Sequence, residues 1–599
     1  HPHHPTSTKR PSCGTKHMSG ILNIGTRALL ANQVALQTAG NNIANVNTPG
    51  YSRQSVVLQN VAGQSSGSGY VGNGVAVQTI QRNHSEFLTR QAALSSSVSA
   101  ADSTRLTQLS QLESIFQGGS TGIGAGVSNM LNSFSDVAMA PTDLSARTVA
   151  KSSAEEMAAR FRTAATSVSD LQQGGKSQLS EAVSAINTLA DRIAAANEQI
   201  ARAQGNGQPP NDLLDQRDQL ISQLNGYVQT TSIPASDGSL GIFLAGSQPL
   251  VLGTTVSKVS LAAGPFGDPS TTKLSMQRGS ATVVLEEATL GGGQVAGLLK
   301  FQNTDLVDAS NLLGRMALAI GTVTNEQHKQ GVDLSGKAGV DLFTLGAPGP
   351  LATGLKASSN TGNASVTVSV QGSSFTTQPT ADDYKISTTK TDSSTTQFKA
   401  SNYEINFTGA NAGSITRLSD GVSQTFSATT TLQMDGLQFD FNAGTAAAGD
   451  RFLITPFSNA AANINLNSAI KSPEQLAMAQ KVLPDTSGTA ALHGTLDSGN
   501  AEAMLALRDL IMFDGSSLTD GFSSAMSEIG ARVQNATSTA AVSKSLAISI
   551  ENDRTSVSGV NLDEEAAKLL QYQQSYQASA KMLQIAQGIF DTLLQTVSR

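Results

Sequence analysis

Residues 19–46 read SGILNIGTRALLANQVALQTAGNNIANV. Leu22, Leu29, Leu36 and Ile43 recur every seven residues, and Gly25, Asn32, Ala39 and Val46 each follow three later. This heptad seam, large residues at one position and mostly small ones at the other, predicts a helix. Ser19 is placed to cap its start. Asn47-Thr48-Pro49-Gly50 stops it, because Pro49 disfavours helix at Thr48 and Gly50 supplies a turn. At 1.5 Å per residue the rod is about 42 Å long.

The other end of the chain mirrors it. After Gly559, Asn561 or Asp563 can cap a helix running to Val597. Its predicted seam is Leu562, Ala566, Leu569, Gln573, Tyr576, Ala580, Leu583, Gln587, Phe590, Leu594 and Val597, a rod of about 54 Å. Glu564 and Glu565 suit the positive end of its dipole. A lone helix is marginal in water, and an apolar stripe stabilises only when something covers it. The cover is the other end of the same chain and then neighbouring copies, or else the two ends form a plain intramolecular stalk.

Further helical periodicity covers 87–116, 127–140, 146–171, 178–203, 212–224, 297–330, 501–510 and 523–556. Ser239–Gly253 reads as strand, turn and strand about Gly246-Ser247-Gln248-Pro249, and Leu274–Glu286 is similar. From 347 to 457 the chain is rich in Thr, Ser, Gly and Asn, with alternating segments at 365–370, 403–407, 438–441 and 451–454. The fold class expected is mainly α with inserted β: terminal coiled-coil helices, a helical-bundle domain and outer β-rich domains. The corresponding division is 18–60 with 553–599 as a terminal axial core; 61–230, 291–346 and 458–552 as the helical domain; 231–290 as a β-rich segment; and 347–457 as an inserted outer β domain. Residues 1–17 carry four of the seven His and the only Cys, Cys13, with Met18 following. They read as a leader or fusion remnant outside the fold, with Met18 the native start.

Composition narrows the function. Of 599 residues, 39% are hydrophobic and only 14% charged, with no Trp. There is enough apolar surface for several cores, so global disorder is excluded. The net charge of −7 favours neither nucleic acid nor an anionic membrane. No run of about 18 apolar residues marks a membrane span. Beyond Met18 there is no Cys, which removes disulfides and Cys/His zinc sites. Broad uncharged surfaces suit packing against more protein.

The motifs with a chemical look read as turns. Gly63-Gln64-Ser65-Ser66-Gly67 matches G-x-S-x-G, but its flanks are Ser/Gly-rich loop rather than strand and helix. Gly122-Ile123-Gly124-Ala125-Gly126 and Gly291-Gly292-Gly293 lack the spacing of a dinucleotide or phosphate loop. His328 reads as a helix-end residue, where positive charge is mildly favoured. No catalytic, cofactor-binding or metal-binding residue is assigned. Asn41, Asn42, Asn45 and Asn47 differ: four Asn in seven positions are costly in a helix and want partners for their amides.

These same residues carry a resemblance. Residues 40–53, GNNIANVNTPGYSR, resemble the N-terminal signature of the bacterial flagellar rod/hook axial protein family. Residues 210–218 (PNDLLDQRD), Asp237-Gly238 with 243–253, 297–343 with Asn325-Glu326-Gln327-His328, 558–566 (SGVNLDEEA) and 570–581 (LQYQQSYQASAK) resemble its hook–filament junction members. The resemblance spans 18–599 and is weakest over 347–457. It implies a structural, non-enzymatic subunit joining hook to filament, with both terminal helices paired as the innermost layer of a tube. It implies type III export without a cleaved signal, and an extracellular place at the junction. The implied partners are copies of itself, the hook protein, the other junction protein and a cytoplasmic export chaperone at the C-terminal helix. The contact residues would be Leu22, Leu29, Leu36, Asn41, Asn42, Ile43, Asn45 and Asn47 at one end. At the other they would be Leu562, Leu569, Tyr572, Tyr576, Leu583, Phe590 and Leu594. Two alternatives stay open: another hook- or rod-type subunit, and an axial protein whose outer β region is adhesive.

Overall fold

The structure is a computed structural model that describes residues 15–65, 69–205, 207–346, 351–371, 397–480 and 496–597. Cys13, His493 and the Ser66-Gly67 half of the G-x-S-x-G stretch lie outside them. Helices dominate: α1 (Thr15–Ala44), α2 (Glu86–Ile115), α3 (Ile123–Met139), α4 (Leu144–Gln204) and α5 (Asn211–Tyr227). After them come α6 (Gln294–Lys300), α7 (Leu306–His328), the short α8 (Ala460–Asn463) and α9 (Gly499–Ala506), α10 (Gly521–Ser558) and α11 (Leu562–Val597). Gly122 caps α3, and Gly291 and Gly293, both at positive φ, lead into α6. The first helix begins four residues before Ser19, so Ser19 is not its cap, and three residues of the expected leader are helical. Nothing in Thr15-Lys16-His17 breaks a helix.

The sequence reading breaks α4 at Gln172–Ser177, yet it is one helix of 61 residues, about 90 Å long. Two consecutive glycines cost helix stability but do not end a helix that is packed on both sides of them. A Cβ on Gly175 would lie 2.6 Å from the Gln302 side-chain oxygen, so the glycine admits a close crossing. That crossing partner is a π-helical turn, Phe301–Asp305, which joins α6 to α7 in one continuous rod. Its Asp305 is buried and receives Arg105 through two nitrogens at 2.8 and 2.9 Å, which ties α2 to the rod. The rod Gln294–His328 is long and apolar enough to cross a bilayer, but 78% of its most apolar window is buried among its neighbours. Its composition is that of a core helix.

The long helix α4 threads two cores. Its first half, Ala150 to Val168, packs with α2, α3 and α7. Its second half, Leu179 to Ala196, packs under a small β module. That module holds a four-stranded sheet (Thr230–Pro234, Leu240–Leu244, Gln248–Leu252, Thr255–Val256) and a three-stranded one (Val259–Ala262, Lys273–Arg278, Ala281–Leu285). Its second hairpin turns at Ala245-Gly246, both at positive φ, rather than over Gly246–Pro249; Gln248 already pairs with Leu244.

The outer β region is two antiparallel sheets. One orders Ala352–Thr353, Ser365–Val370, Leu437–Ala443 and Thr431–Met434; the other orders Leu355–Lys356, Arg451–Ile454, Tyr403–Gly409, Ala412–Arg417 and Ser423–Phe426. Phe407 lies edge-on to Phe426, Phe441 and Phe452 between them. The apolar core of this region runs on into that of the helical domain. Phe457 presses its backbone against Gly314, where no side chain would fit. The outer sheets are therefore bonded to the helical body through shared core, not hung on a linker.

The stretch Asn325–His328 is a buried brace. Asn325 clamps Phe343, accepting from its N–H at 2.7 Å and donating to its carbonyl at 2.8 Å, while Gln327 donates to Asn500 at 2.8 Å. His328 is not a cationic helix end. Its Nδ1 donates to the Val340 carbonyl at 2.5 Å and its Nε2 accepts from the Ala477 N–H at 2.9 Å, which fixes one neutral tautomer. Burial lowers its pKa from 6.5 to about 4. Burial pushes the nearby Glu326 carboxyl the other way, up to about 7.

The two groups oppose each other in the pH dependence of stability. His328 contributes stability above pH 6.5 that is lost as pH falls toward 4, because the unfolded chain takes the proton first. Glu326 contributes stability below pH 4.5 that is lost as pH rises through about 7. Glu326→Gln removes the second effect alone. The expected result is higher stability than the parent at pH 8 and a new loss of about 2 kcal/mol between pH 6.5 and 4.5. Denaturant melts across that range check it; parallel pH profiles for parent and variant would refute it.

Candidate functional site

The two terminal helices, α1 and α11, lie against each other, and the register is legible at three levels. A Cβ on Gly25 would meet Leu583 at 3.0 Å, Asn32 donates to Ser579 Oγ at 3.4 Å, and Asn42 donates to Glu565 at 2.8 Å. Residue numbers rise on one helix as they fall on the other, so the pair is antiparallel. The tightest positions on α1 are small or polar: Gly25, Ala31, Ala35, Thr38, Ala39 and Asn42 are buried. Leu22, Leu29, Leu36 and Ile43 are half-buried and flank that strip rather than forming it. Small residues let the backbones approach closely, and the large ones pack around the contact.

The α11 seam is also turned relative to the sequence reading. Leu569, Tyr576, Ala580 and Leu583 do face inward, and Tyr572 and Ala586 join them half-buried. Ala566, Gln573 and Gln587 are exposed, while Glu565 and Ser579 are buried in their place. A carboxylate and a hydroxyl occupy the seam because Asn42 and Asn32 meet them there. A pattern built on apolar side chains alone does not find such positions. Leu562, Phe590 and Leu594 remain 50%, 41% and 54% exposed in the single chain.

Below the pair, the signature residues form a polar knot. The helix α1 ends at Ala44, and Asn45 to Tyr51 turn the chain through successive bonds from Thr48 N–H to Asn45 and from Tyr51 N–H to Thr48. Gly50 has φ +81°, and any Cβ there would sit 2.6 Å from the Gln219 side-chain oxygen. Only glycine suits the position. Asn42, 1% exposed, uses every hydrogen-bonding site of its amide. Its Nδ2 donates to the Gln54 carbonyl (2.9 Å) and to Glu565 (2.8 Å). Its Oδ1 accepts from the Gln54 N–H (2.9 Å) and the Tyr51 hydroxyl (2.8 Å).

The other asparagines do less. Asn41 donates to the Tyr51 hydroxyl at 3.3 Å, Asn45 folds back onto Asn41, and Asn47 is exposed in the turn. Burial and the nearby Asp212, Asp215 and Glu565 push the Tyr51 phenol up to about 12, so it stays protonated and donates.

Charged groups lock the knot to the rest of the molecule. The Arg53 N–H donates to the Ser558 carbonyl at the end of α10, and its guanidinium reaches Glu564 at 2.8 Å. The Ser52 N–H donates to Asp215 at 2.9 Å. Arg82, at the end of the hairpin formed by Gln54–Asn60 and Val75–Arg82, bonds Asp215 and Asp218 of α5 at 2.8 and 2.6 Å. Asn561 caps α11, its Oδ1 accepting from Asp563 and Glu564 N–H. The place of Glu565 in the seam, and the roles of Asp215 and Arg82, were not assigned from sequence. The first two sit inside quoted signature stretches, and a carboxylate spaced to fall on the inner face was the available signal. Among the described residues, no group of three or more His, Cys, Asp or Glu is placed to hold a metal ion. What the arrangement does is tie the two terminal helices to each other and to α5 and the end of α10.

Comparison with known proteins gives the same geometry a family. Residues 109–343 match the flagellar hook-associated protein FlgK helical domain, and 378–456 the flagellar hook-associated protein 1 D2-like domain. Residues 22–51 match the flagella basal body rod protein family, and 553–596 the flagellar basal body rod FlgEFG protein C-terminal family. The chain is 31% identical over 584 residues to flagellar hook-associated protein 1 of Salmonella typhimurium, covering 96% of this chain and 100% of that one. It is 32% identical over 585 residues to the protein of the same name from Escherichia coli, with the same coverage. The solved flagellar hook junction protein FlgK from Burkholderia pseudomallei is 26% identical, with a TM-score of 0.67, over 78% of this chain and 100% of that one. The chain belongs to the flagellar hook-associated protein 1 family.

Proposed function

We propose that the chain is a structural subunit of the bacterial flagellum that joins the hook to the filament, and that it assembles through the α1–α11 pair. One observation carries this. After the two helices have paired, a second apolar face stays open: Ile21, Met582, Ile585 and Ile589 line one groove and are each 44% exposed or more. Such a face is a poor final state for a soluble rod and a good one for a subunit awaiting neighbours. The names of the relatives support the place at the hook–filament junction. A structural rather than catalytic role follows from the same membership.

In this reading the neighbours are copies of the chain, the hook protein on one side and the other junction protein on the other. Before assembly a cytoplasmic export chaperone covers the open strip of α11, and the chain leaves by type III export. The half-buried Leu22, Leu29, Leu36, Ile43, Leu569, Tyr572, Tyr576 and Leu583 set the pair. Leu562, Phe590 and Leu594 meet other molecules. The asparagines act mainly within the chain, through Asn42.

Neither terminal helix contributes a residue to the two main cores. Deleting Leu562–Val597 is therefore expected to leave the melting of the helical domain nearly unchanged while incorporation into flagella disappears. Incorporation of the truncated chain at parental levels would overturn the proposal.

A further inference from the structure

Asparagine followed by glycine occurs three times in the chain, at Asn73-Gly74, Asn206-Gly207 and Asn225-Gly226. In such a pair the glycine nitrogen can attack the asparagine side-chain amide, because glycine puts no Cβ in the way and its backbone bends freely. What holds the two groups decides whether attack occurs. Asn206 lies outside the described residues. Asn225, in α5, is 1% exposed and firmly held. It donates to the Ile221 carbonyl and the Thr230 hydroxyl and accepts from the Thr230 N–H, each at 2.9 Å.

Asn73 is held far less. It lies half-buried in the hairpin loop, just ahead of the strand Val75–Arg82. Its Nδ2 donates to the Ala62 carbonyl at 2.7 Å, but its Oδ1 makes no hydrogen bond among the described residues. The Gly74 N–H is likewise unbonded among them. The peptide between the two residues also has a charged neighbour: Arg27 of α1 donates to the Asn73 main-chain carbonyl at 3.5 Å. A cation there favours the negative charge that spreads onto this oxygen when the Gly74 nitrogen loses its proton. The hairpin has no charged residue from Gln54 to Gln81, so no carboxylate of its own opposes the effect.

We propose that Asn73 is a site of spontaneous deamidation, promoted by Arg27. The Gly74 nitrogen gives its proton to hydroxide and bonds to Asn73 Cγ. The Cγ–Nδ2 bond breaks, and Nδ2 leaves as ammonia with a proton from water. Water then opens the resulting succinimide. Breaking the new Cγ–nitrogen bond gives aspartate; breaking the main-chain carbonyl–nitrogen bond gives isoaspartate. The sum is hydrolysis of one amide, with nothing oxidised or reduced. Two consequences follow for the fold. The uncharged stretch acquires a carboxylate near Arg27. In the isoaspartyl form the backbone is one carbon longer immediately before Gly74, which lies against Ile24 of α1. This chemistry is independent of assembly.

For the test, the purified full chain is held at mildly alkaline pH and digested with trypsin at intervals. The peptide Gln54–Arg82 contains Asn73 and no other Asn-Gly pair. The expected result is its conversion to two acidic forms, one of them a substrate for isoaspartyl methyltransferase. Conversion should be at least about tenfold faster than at Asn225, where three buried hydrogen bonds must first open. Arg27→Gln should slow it about two- to fivefold, and Arg27→Lys should restore it. A loop merely loosened by the substitution would react faster, so the sign separates charge from structure. An intact peptide from the folded chain, under conditions where the excised peptide converts, would overturn the site. Equal rates at Asn73 and Asn225 would overturn its structural basis, and an unchanged or faster rate in Arg27→Gln would overturn the part given to the guanidinium.

Discussion

Asn42→Asp is expected to separate α11 from α1 at neutral pH and to cost about 3–5 kcal/mol. The substitution changes one heavy atom and no shape. It removes both N–H donors, leaving the Gln54 carbonyl and the buried Glu565 carboxylate without their partner at 2.9 and 2.8 Å. It also sets a second negative charge beside Glu565, which is only 2% exposed. Lys568, 3.1 Å from Glu565, already answers that carboxylate and Glu564 and cannot neutralise a third. Like charges in a site of low polarity raise each other's energy steeply. Amide exchange should show 562–580 losing protection while the helical domain keeps its own. Asn47→Asp, in the exposed turn, should stay within about 0.5 kcal/mol of the parent. Equal protection of α11 in both variants would remove Asn42 as the tie between the ends of the chain.

The sequence announces that something is unusual at Asn42 but not what. Four asparagines near a helix end are costly enough to require partners, and that much is local. Which one is buried depends on Glu565, 523 residues away, and no periodicity within α1 contains that information. The two terminal rods were legible because apolar residues repeat at helical spacing over many turns. The seam between them was misread by one position because it is built from glycine, alanine, asparagine, serine and glutamate. Close approach selects small side chains, and a pattern weighted by hydrophobicity turns toward the larger leucines on its flank.

Other differences have the same origin in tertiary contact. Gly174-Gly175 reads as a break in isolation, but Gln302 fills the space a side chain would take and the helix runs on. The end of a helix favours a cationic histidine in water; buried between the Val340 carbonyl and the Ala477 N–H, His328 is neutral instead. Short β segments at 365–370 and 403–407 were found from alternation, since each buries one face, whereas 451–454 is buried on both faces from Phe452 to Ile454. That their core continues into the helical domain was not visible, because it depends on Phe398 and Phe457 reaching across from loops.

Placing aspartate at both Ile585 and Ile589 is expected to abolish incorporation into flagella without loosening the molecule. These side chains are 57% and 52% exposed, outside the strip where α1 and α11 meet. With Ile21 and Met582 they line one open groove. In the free chain aspartate there meets water, so melting should shift by no more than about 0.5 kcal/mol. In an assembly that buries the groove, each lost isoleucine removes about 1.5–3 kcal/mol, and the buried carboxylates add a further cost. Two sites together amount to a factor of at least about a hundred in subunit association. Leu583→Asp provides the contrast, since Leu583 packs over Gly25 inside the pair, so it should both loosen α11 and block incorporation. The separation of these two phenotypes distinguishes residues that join the ends of one chain from residues that join one chain to the next. Normal junctions built from the Ile585→Asp, Ile589→Asp chain would mean that the groove faces solvent in the finished structure, and that the apolar strip serves only the chain's passage before assembly.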